Sequence, residues 1–152
     1  MGHSAKGAKT YLMKILIDTN VALTYVSGRE DPFSDDVDEI MLMCAREEIK
    51  GAMAFHSLST IWYQARKLPD ETRREWIKQL CELLTITGAD NVSVLLAVKN
   101  ADFKDFEDAL QVCCAETFQA DYIVTANISD FRGHSEIPAL TPREFLSMWR
   151  SL

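Results

Sequence analysis

Four acidic residues, Asp18, Asp105, Asp108 and Asp130, lie where carboxylates can do chemistry, although they are spread along most of the chain. Asp18 ends a short apolar run, Lys14-Ile-Leu-Ile-Asp18, and is followed directly by Thr19 and Asn20. A carboxylate at the end of a strand buried on both faces has no packing rationale, because burying a charge without a partner is costly. Asp105 and Asp108 stand at i and i+3, on one face in the first turns of a helical stretch. Asn127 and Asp130 follow a second apolar run, in Thr125-Ala-Asn127-Ile-Ser-Asp130-Phe131. Taken singly, Asp105 also reads as a helix cap and Asp130 as a turn residue. Taken together, gathered carboxylates repel, so one holds a proton or a cation binds among them. Hard divalent ions prefer oxygen ligands and keep several waters. Such a site without His or Cys ligands points to Mg2+ or Mn2+ and to phosphodiester chemistry.

The elements that must bring these acids together follow from periodicity. Lys14 to Ile17 reads as a strand of the parallel, doubly buried type. A short helix follows from Asn20 to Ser27, stopping at Gly28, and Pro32 marks a loop. Ser34 reads as the N-cap of a second helix, with Asp35, Asp36, Asp38 and Glu39 in its first turns and Val37, Ile40, Met41, Cys44 and Ala45 on its inner stripe. Ala52 to Phe55 reads as the second strand. Ser57 reads as the cap of a third helix, broken at Pro69, and a fourth helix runs from Asp70 to Leu83. Leu84 to Thr87 is a third strand, and Asn91 to Lys99 a short helix. Asp105 to Gln119 is a helix with Phe106, Leu110, Cys113, Cys114 and Phe118 toward the core. Tyr122 to Thr125 is the last clear strand. Thr141-Pro142-Arg143-Glu144 is a capping box with Pro at the first helical position, opening a final helix that docks through Phe145, Met148 and Trp149. This alternation predicts an α/β fold: a central, mostly parallel sheet with helices on both faces. Sites on such sheets lie at the C-terminal edge of the strands.

Composition narrows the possibilities. The chain has 152 residues, 47% of them hydrophobic, which suits one domain with a core that needs no metal or disulfide staple. Residues 1–12 are small, polar and patternless and read as a leader or disordered tail, leaving 13–152 as the domain. No run is long and apolar enough to span a membrane. The formal net charge of -7 repels nucleic acid at long range and argues against a general nucleic-acid-binding module. Cys44, Cys81, Cys113 and Cys114 form no CxxC pair, and no His stands at zinc-ligand spacing; they read as free thiols in a reducing, cytoplasmic compartment. The glycine-rich turn of nucleotide-binding α/β folds is missing after the first strand.

Two blocks carry a family resemblance. Ile15-Leu-Ile-Asp18-Thr19-Asn20-Val21 resembles the opening strand of PIN domains. Asp105-Phe-Glu-Asp108-Ala109-Leu110, with Ala120-Asp-Tyr-Ile-Val-Thr125-Ala-Asn127-Ile-Ser-Asp130-Phe131, is similar to the distal block of that family. The resemblance runs from about Met13 to Leu152 and implies a PIN-like three-layer fold and a metal-dependent endoribonuclease like the VapC toxins. By the same resemblance Asp18 and Asp108 are metal ligands assisted by Asp105. Asn127 and Asp130 compete for the position after the last strand, and Thr19 and Asn20 position the scissile phosphate. It further implies Mg2+ or Mn2+, an RNA substrate, a small antitoxin partner that inserts a basic residue into the acidic site, and a homodimer. Thr60 departs from the pattern, standing where many PIN domains carry a Glu. Either Thr60 takes a substrate-positioning role and Glu39 substitutes as ligand, or the chain is a catalytically weakened binding module. His56 beside this helix is a candidate substrate contact, and Arg66, Lys67, Arg73 and Arg74 a candidate phosphate-steering patch.

Overall fold

The computed structural model describes residues 11–152. Most of the leader read over 1–12 therefore lies outside the described residues; of the remainder, the Tyr11 phenol donates to the Asp121 carboxylate at 2.6 Å.

Five strands form one sheet in the order β3-β2-β1-β4-β5, with every pairing parallel. They are β1 (Lys14–Ile17), β2 (Lys50–Ala54), β3 (Thr85–Thr87), β4 (Tyr122–Val124) and β5 (Ala139–Leu140). The helices are α1 (Thr19–Ser27), α2 (Ser34–Ala45), α3 (Phe55–Gln64), α4 (Asp70–Leu83), α5 (Asn91–Lys99), α6 (Phe106–Phe118) and α7 (Pro142–Arg150). No helix among the described residues is long and apolar enough to cross a membrane.

The central strand shows how the layers arise. Side chains alternate across a strand. Ile15 and Ile17 accordingly pack with Val21, Ile40, Met41, Ile61, Leu80 and Phe145, from α1, α2, α3, α4 and α7. Leu16 points the other way, to Val112, Cys114 and Ala115 of α6 and to Phe131. Helix α5 lies outside α6, joined to it through Ala97, Ala109 and Cys113. The expected α/β architecture with helices on both faces is present, and the sheet is wholly parallel.

Strand order then fixes where a site can form. From β1 the chain builds outward through β2 and β3, and β4 returns to the opposite flank of β1. The C-terminal ends of β1 and β4 therefore diverge into different connections at a topological switch point, where open α/β sheets leave a crevice. Asp18 follows β1 directly; Thr125, Asn127 and Asp130 follow β4.

Several local expectations need correction. Ser34 is the first residue of α2 rather than its cap, and its hydroxyl donates back to the Asp31 carbonyl at 3.0 Å. Helix α3 starts two residues before Ser57, directly after β2, without a side-chain cap. Ser57 is instead fully buried. Phe106 is 46% exposed rather than in the core: it is the first residue of α6, directly after the N-cap Asp105. Strand β5 escaped notice because two residues carry no periodicity. The capping box of α7 is present, with Thr141 and Glu144 each serving the other's backbone. Cys44, Cys113 and Cys114 are buried and Cys81 is exposed, all as free thiols.

Candidate active site

Asp18 is locked in place by the chain around it. Its backbone N–H still donates to the Val124 carbonyl at 3.0 Å, so it is held against β4. One carboxylate oxygen accepts from the Thr19 N–H at 2.9 Å, capping α1. The other accepts from the Thr125 hydroxyl at 2.8 Å. Thr125 is fully buried, and its oxygen also accepts from the Asn127 N–H at 3.0 Å. A single hydroxyl thus ties the end of β1 to the turn after β4. Burial pushes the Asp18 carboxyl up to about 6 despite the Thr125 hydrogen bond, and the charges of Glu107 and Asp130 add to the rise.

The first turn of α6 supplies the other side. Asp105 is its N-cap, accepting from the Glu107 N–H at 3.0 Å, so the capping reading of Asp105 holds. It does not exclude a place in the cluster: carboxylate oxygens of Asp105, Glu107 and Asp108 all lie within 4.8 Å of one another. Asp108 is pushed up to about 7 by burial and by the negative charges of Asp18, Glu107, Asp105 and Asp130. Those charges reach it from three segments: the end of β1, the head of α6, and the short 3-10 turn Ile128–Asp130 after β4. Asp105, Asp108 and Asp130 line one cleft of about 310 Å³, with Asp102, Lys104, Ser129 and His134. Asp18 is not part of the cleft wall but is felt by Asp108 from beside it.

Glu107 stands between Asp105 and Asp108 in the distal block, and its residue type and spacing alone assign it no role. Its carboxylate accepts from His56 Nε2 at 2.9 Å and from Gln111 Nε2 at 2.8 Å. Burial works against its ionisation, yet these hydrogen bonds hold its pKa below the ordinary value. His56 is correspondingly pushed up to about 9: burial opposes the shift, and the Cys114 sulfur and Glu107 outweigh it. Gln111, Ser57 and Thr125 were also missed. The available signal was a polar residue where a stripe should be apolar, as Gln111 is on the inner side of α6.

Other residues singled out from sequence are placed as follows. The Thr19 side chain turns inward, its hydroxyl 2.7 Å from the Ser57 hydroxyl. Asn20 is half-buried in the first turn of α1, and Asn127 and Asp130 are exposed. The Thr60 hydroxyl donates to the His56 carbonyl at 3.4 Å, along its own helix. Glu39 forms an exposed ion pair with Arg150 of α7 at 2.8 Å. Arg66 stacks on Tyr63 and Arg73 on Trp62, 4.1 and 3.7 Å from the ring centres, and Arg74 pairs with Asp70.

The donor set suits a hard divalent cation. It is all oxygen, and Asp18 and Asp108 are raised by burial first and by the neighbouring carboxylates second.

The described residues thus form an all-parallel α/β domain with carboxylates gathered at the switch point between β1 and β4. A family model described as a PIN domain matches residues 14–129, and the chain belongs to that family. Solved structures with the same fold include VapBC2 from Rickettsia felis bound to a promoter DNA fragment, 15% identical with TM-score 0.65, covering 85% of this chain and 98% of that one. A DNA-bound VapBC from Salmonella typhimurium is 17% identical with TM-score 0.64, covering 86% and 99%. The sarcin-ricin loop cleaving toxin VapC20 from Mycobacterium tuberculosis is 12% identical with TM-score 0.56, covering 81% and 98%. No curated protein matches the chain.

Proposed function

We propose that this chain is a metal-dependent endoribonuclease that hydrolyses RNA phosphodiester bonds as the toxin of a toxin–antitoxin pair in the cytoplasm. The observation that carries this reading is the convergence of Asp18, Asp108 and Asp130 from three segments, with two of those carboxyls raised by burial and mutual repulsion. Asp18, Asp108 and Asp130 would hold Mg2+ or Mn2+, with Asp105 and Glu107 completing the negative charge. When bound, such an ion supplies Lewis acidity and a water of lowered pKa. The chain's own contribution is placement. Thr125 and the Thr19 N–H fix both oxygens of Asp18. The N-terminal dipole of α6 favours the negative charge of Glu107 and Asp108. Asn20 and Asn127 stand at the two strand ends to orient the phosphate, and Thr60 is one turn beyond His56 on α3.

The partner reading rests on charge and on the neighbours of the fold, several of them toxin–antitoxin complexes. An antitoxin segment offering Arg or Lys would relieve the repulsion at the acidic cleft. Helix α5 offers a face for a homodimer: Val92, Leu95, Leu96 and Val98 are each at least 59% exposed, a larger apolar run than a lone monomer needs.

The test is cleavage of a panel of single-stranded RNAs with Mg2+ or Mn2+ and with chelator. Metal-dependent cutting is expected; cutting that survives chelation contradicts the proposal. Thr60, standing in place of the expected Glu, favours a second reading as a weakened binding module. On that reading calorimetry finds no Mn2+ binding.

A further inference from the structure

Gln111 is fully buried on α6, one turn below Glu107. Its Nε2 lies 2.8 Å from Glu107 Oε2, 2.9 Å from the Ser57 hydroxyl and 3.1 Å from the Thr19 hydroxyl. The orientation of the amide follows from the carboxylate, which can only accept. His56 Nε2 at 3.4 Å donates to Glu107 and so competes for the same oxygen rather than accepting from the amide. Two N–H hydrogens are thus shared among three oxygens belonging to α6, α3 and α1. On the other side, the amide oxygen Oε1 is buried without a partner among the described residues.

That imbalance is informative. A residue kept for packing at this position would be apolar, since an unpaired buried acceptor destabilises the fold. Ser57 and Thr19 bond to each other at 2.7 Å, and Glu107 retains His56. Gln111 is therefore not the sole partner of any of these three groups. Its distinctive effect is geometric: among the described residues it is the one side chain bonded both to the carboxylate of Glu107, beside Asp108, and to the residue following Asp18.

We infer that Gln111 is a positioning residue of the acidic edge, holding the Glu107 carboxylate and the Thr19 turn in register so that the two sides of the cluster meet one cation. The inference rests on the metal-site reading above. Groups that orient ligands typically change metal affinity by about 10–100-fold when removed.

The experiment is Mn2+ calorimetry on Gln111→Leu, with Gln111→Met as a second near-isosteric variant, alongside thermal unfolding without metal. The expected result is Mn2+ binding weakened by about 10-fold or more, with a metal-free melting temperature equal to or above wild type because the unpaired acceptor is gone. Glu107→Gln and the double variant complete a cycle: if Gln111 acts through Glu107, the double variant binds no more weakly than Glu107→Gln alone. Wild-type affinity in both Gln111 variants overturns the inference while leaving the metal site standing, as does strict additivity in the cycle. A wild type that binds no Mn2+ overturns the metal-site reading and this inference with it.

Discussion

Asp108 and Asp18 carry the strain of the site, and their titration should be visible in stability. Each has a folded pKa above its ordinary 3.8, at about 7 and about 6. The folded, metal-free protein therefore keeps protons that the unfolded chain has released. Stability must fall as pH rises from about 4 through about 7. His56, raised to about 9, adds a further loss as pH climbs above its ordinary 6.5. Glu107 acts in the opposite sense, and its contribution fades only in acid. Asp108 is partly exposed, so solvent discounts its share; the whole effect is on the order of 1–3 kcal/mol. Melting without metal should be higher at about pH 5 than at about pH 8, and Mn2+ should recover the difference at the higher pH. Asp108→Asn should flatten the profile; a profile that rises with pH would contradict the electrostatic account. Asp18, Asp108 and Asp130 were legible in sequence because each acid sits where an element begins or ends. Glu107 and Gln111 were not. Residues two apart on a helix are normally taken to point apart, but Asp105 is the extended N-cap of α6, and its carboxylate lies within 4.8 Å of those of Glu107 and Asp108.

The elements hold the site through a few close approaches. Gly51 in β2 is one. A Cβ there would come within 2.7 Å of Leu84 Cδ2 and 2.8 Å of Cys44 Sγ, both side chains in the core. Gly51→Ala should destabilise by about 1–3 kcal/mol, read by chemical denaturation. Thr141→Ala removes the side-chain half of the α7 capping box and should cost about 1 kcal/mol by the same measurement; no change in either would show that the local packing gives way freely. The helices with strong start signals, α7 above all, were readable from sequence. The starts of α2 and α3 were not, because Ser34 and Ser57 are good caps in isolation. Ser57 is drawn into the core by Thr19 and Gln111, which only tertiary structure brings near.

At the scale of the whole molecule, a chain of net charge -7 in which Asp18, Asp105, Glu107, Asp108 and Asp130 gather at one edge should bind RNA weakly until cations screen the site. The same focusing makes a basic partner segment a good competitor. The apolar face of α5 is separate from the charge logic. Leu96→Glu, with 63% of Leu96 exposed, should leave the fold intact and convert the proposed dimer to monomer in sedimentation; a monomeric wild type would contradict the dimer, and an unchanged dimer would place the interface elsewhere. Strand order, and with it the switch point between β1 and β4, could not be read from periodicity, since parallel strands of similar composition can pair in several orders. The family resemblance implied the three-layer fold, and the strand order itself comes from the structure.

The most direct test of the central claim is cleavage of single-stranded RNA in Mn2+ by the wild type, Asp18→Asn and Asp108→Asn, each checked for a native melt. The account predicts cutting by the wild type and a loss of about 100-fold or more in both variants, since each removes a charge from the cation site. Cutting that persists in both variants would contradict it and place the chemistry away from the switch point.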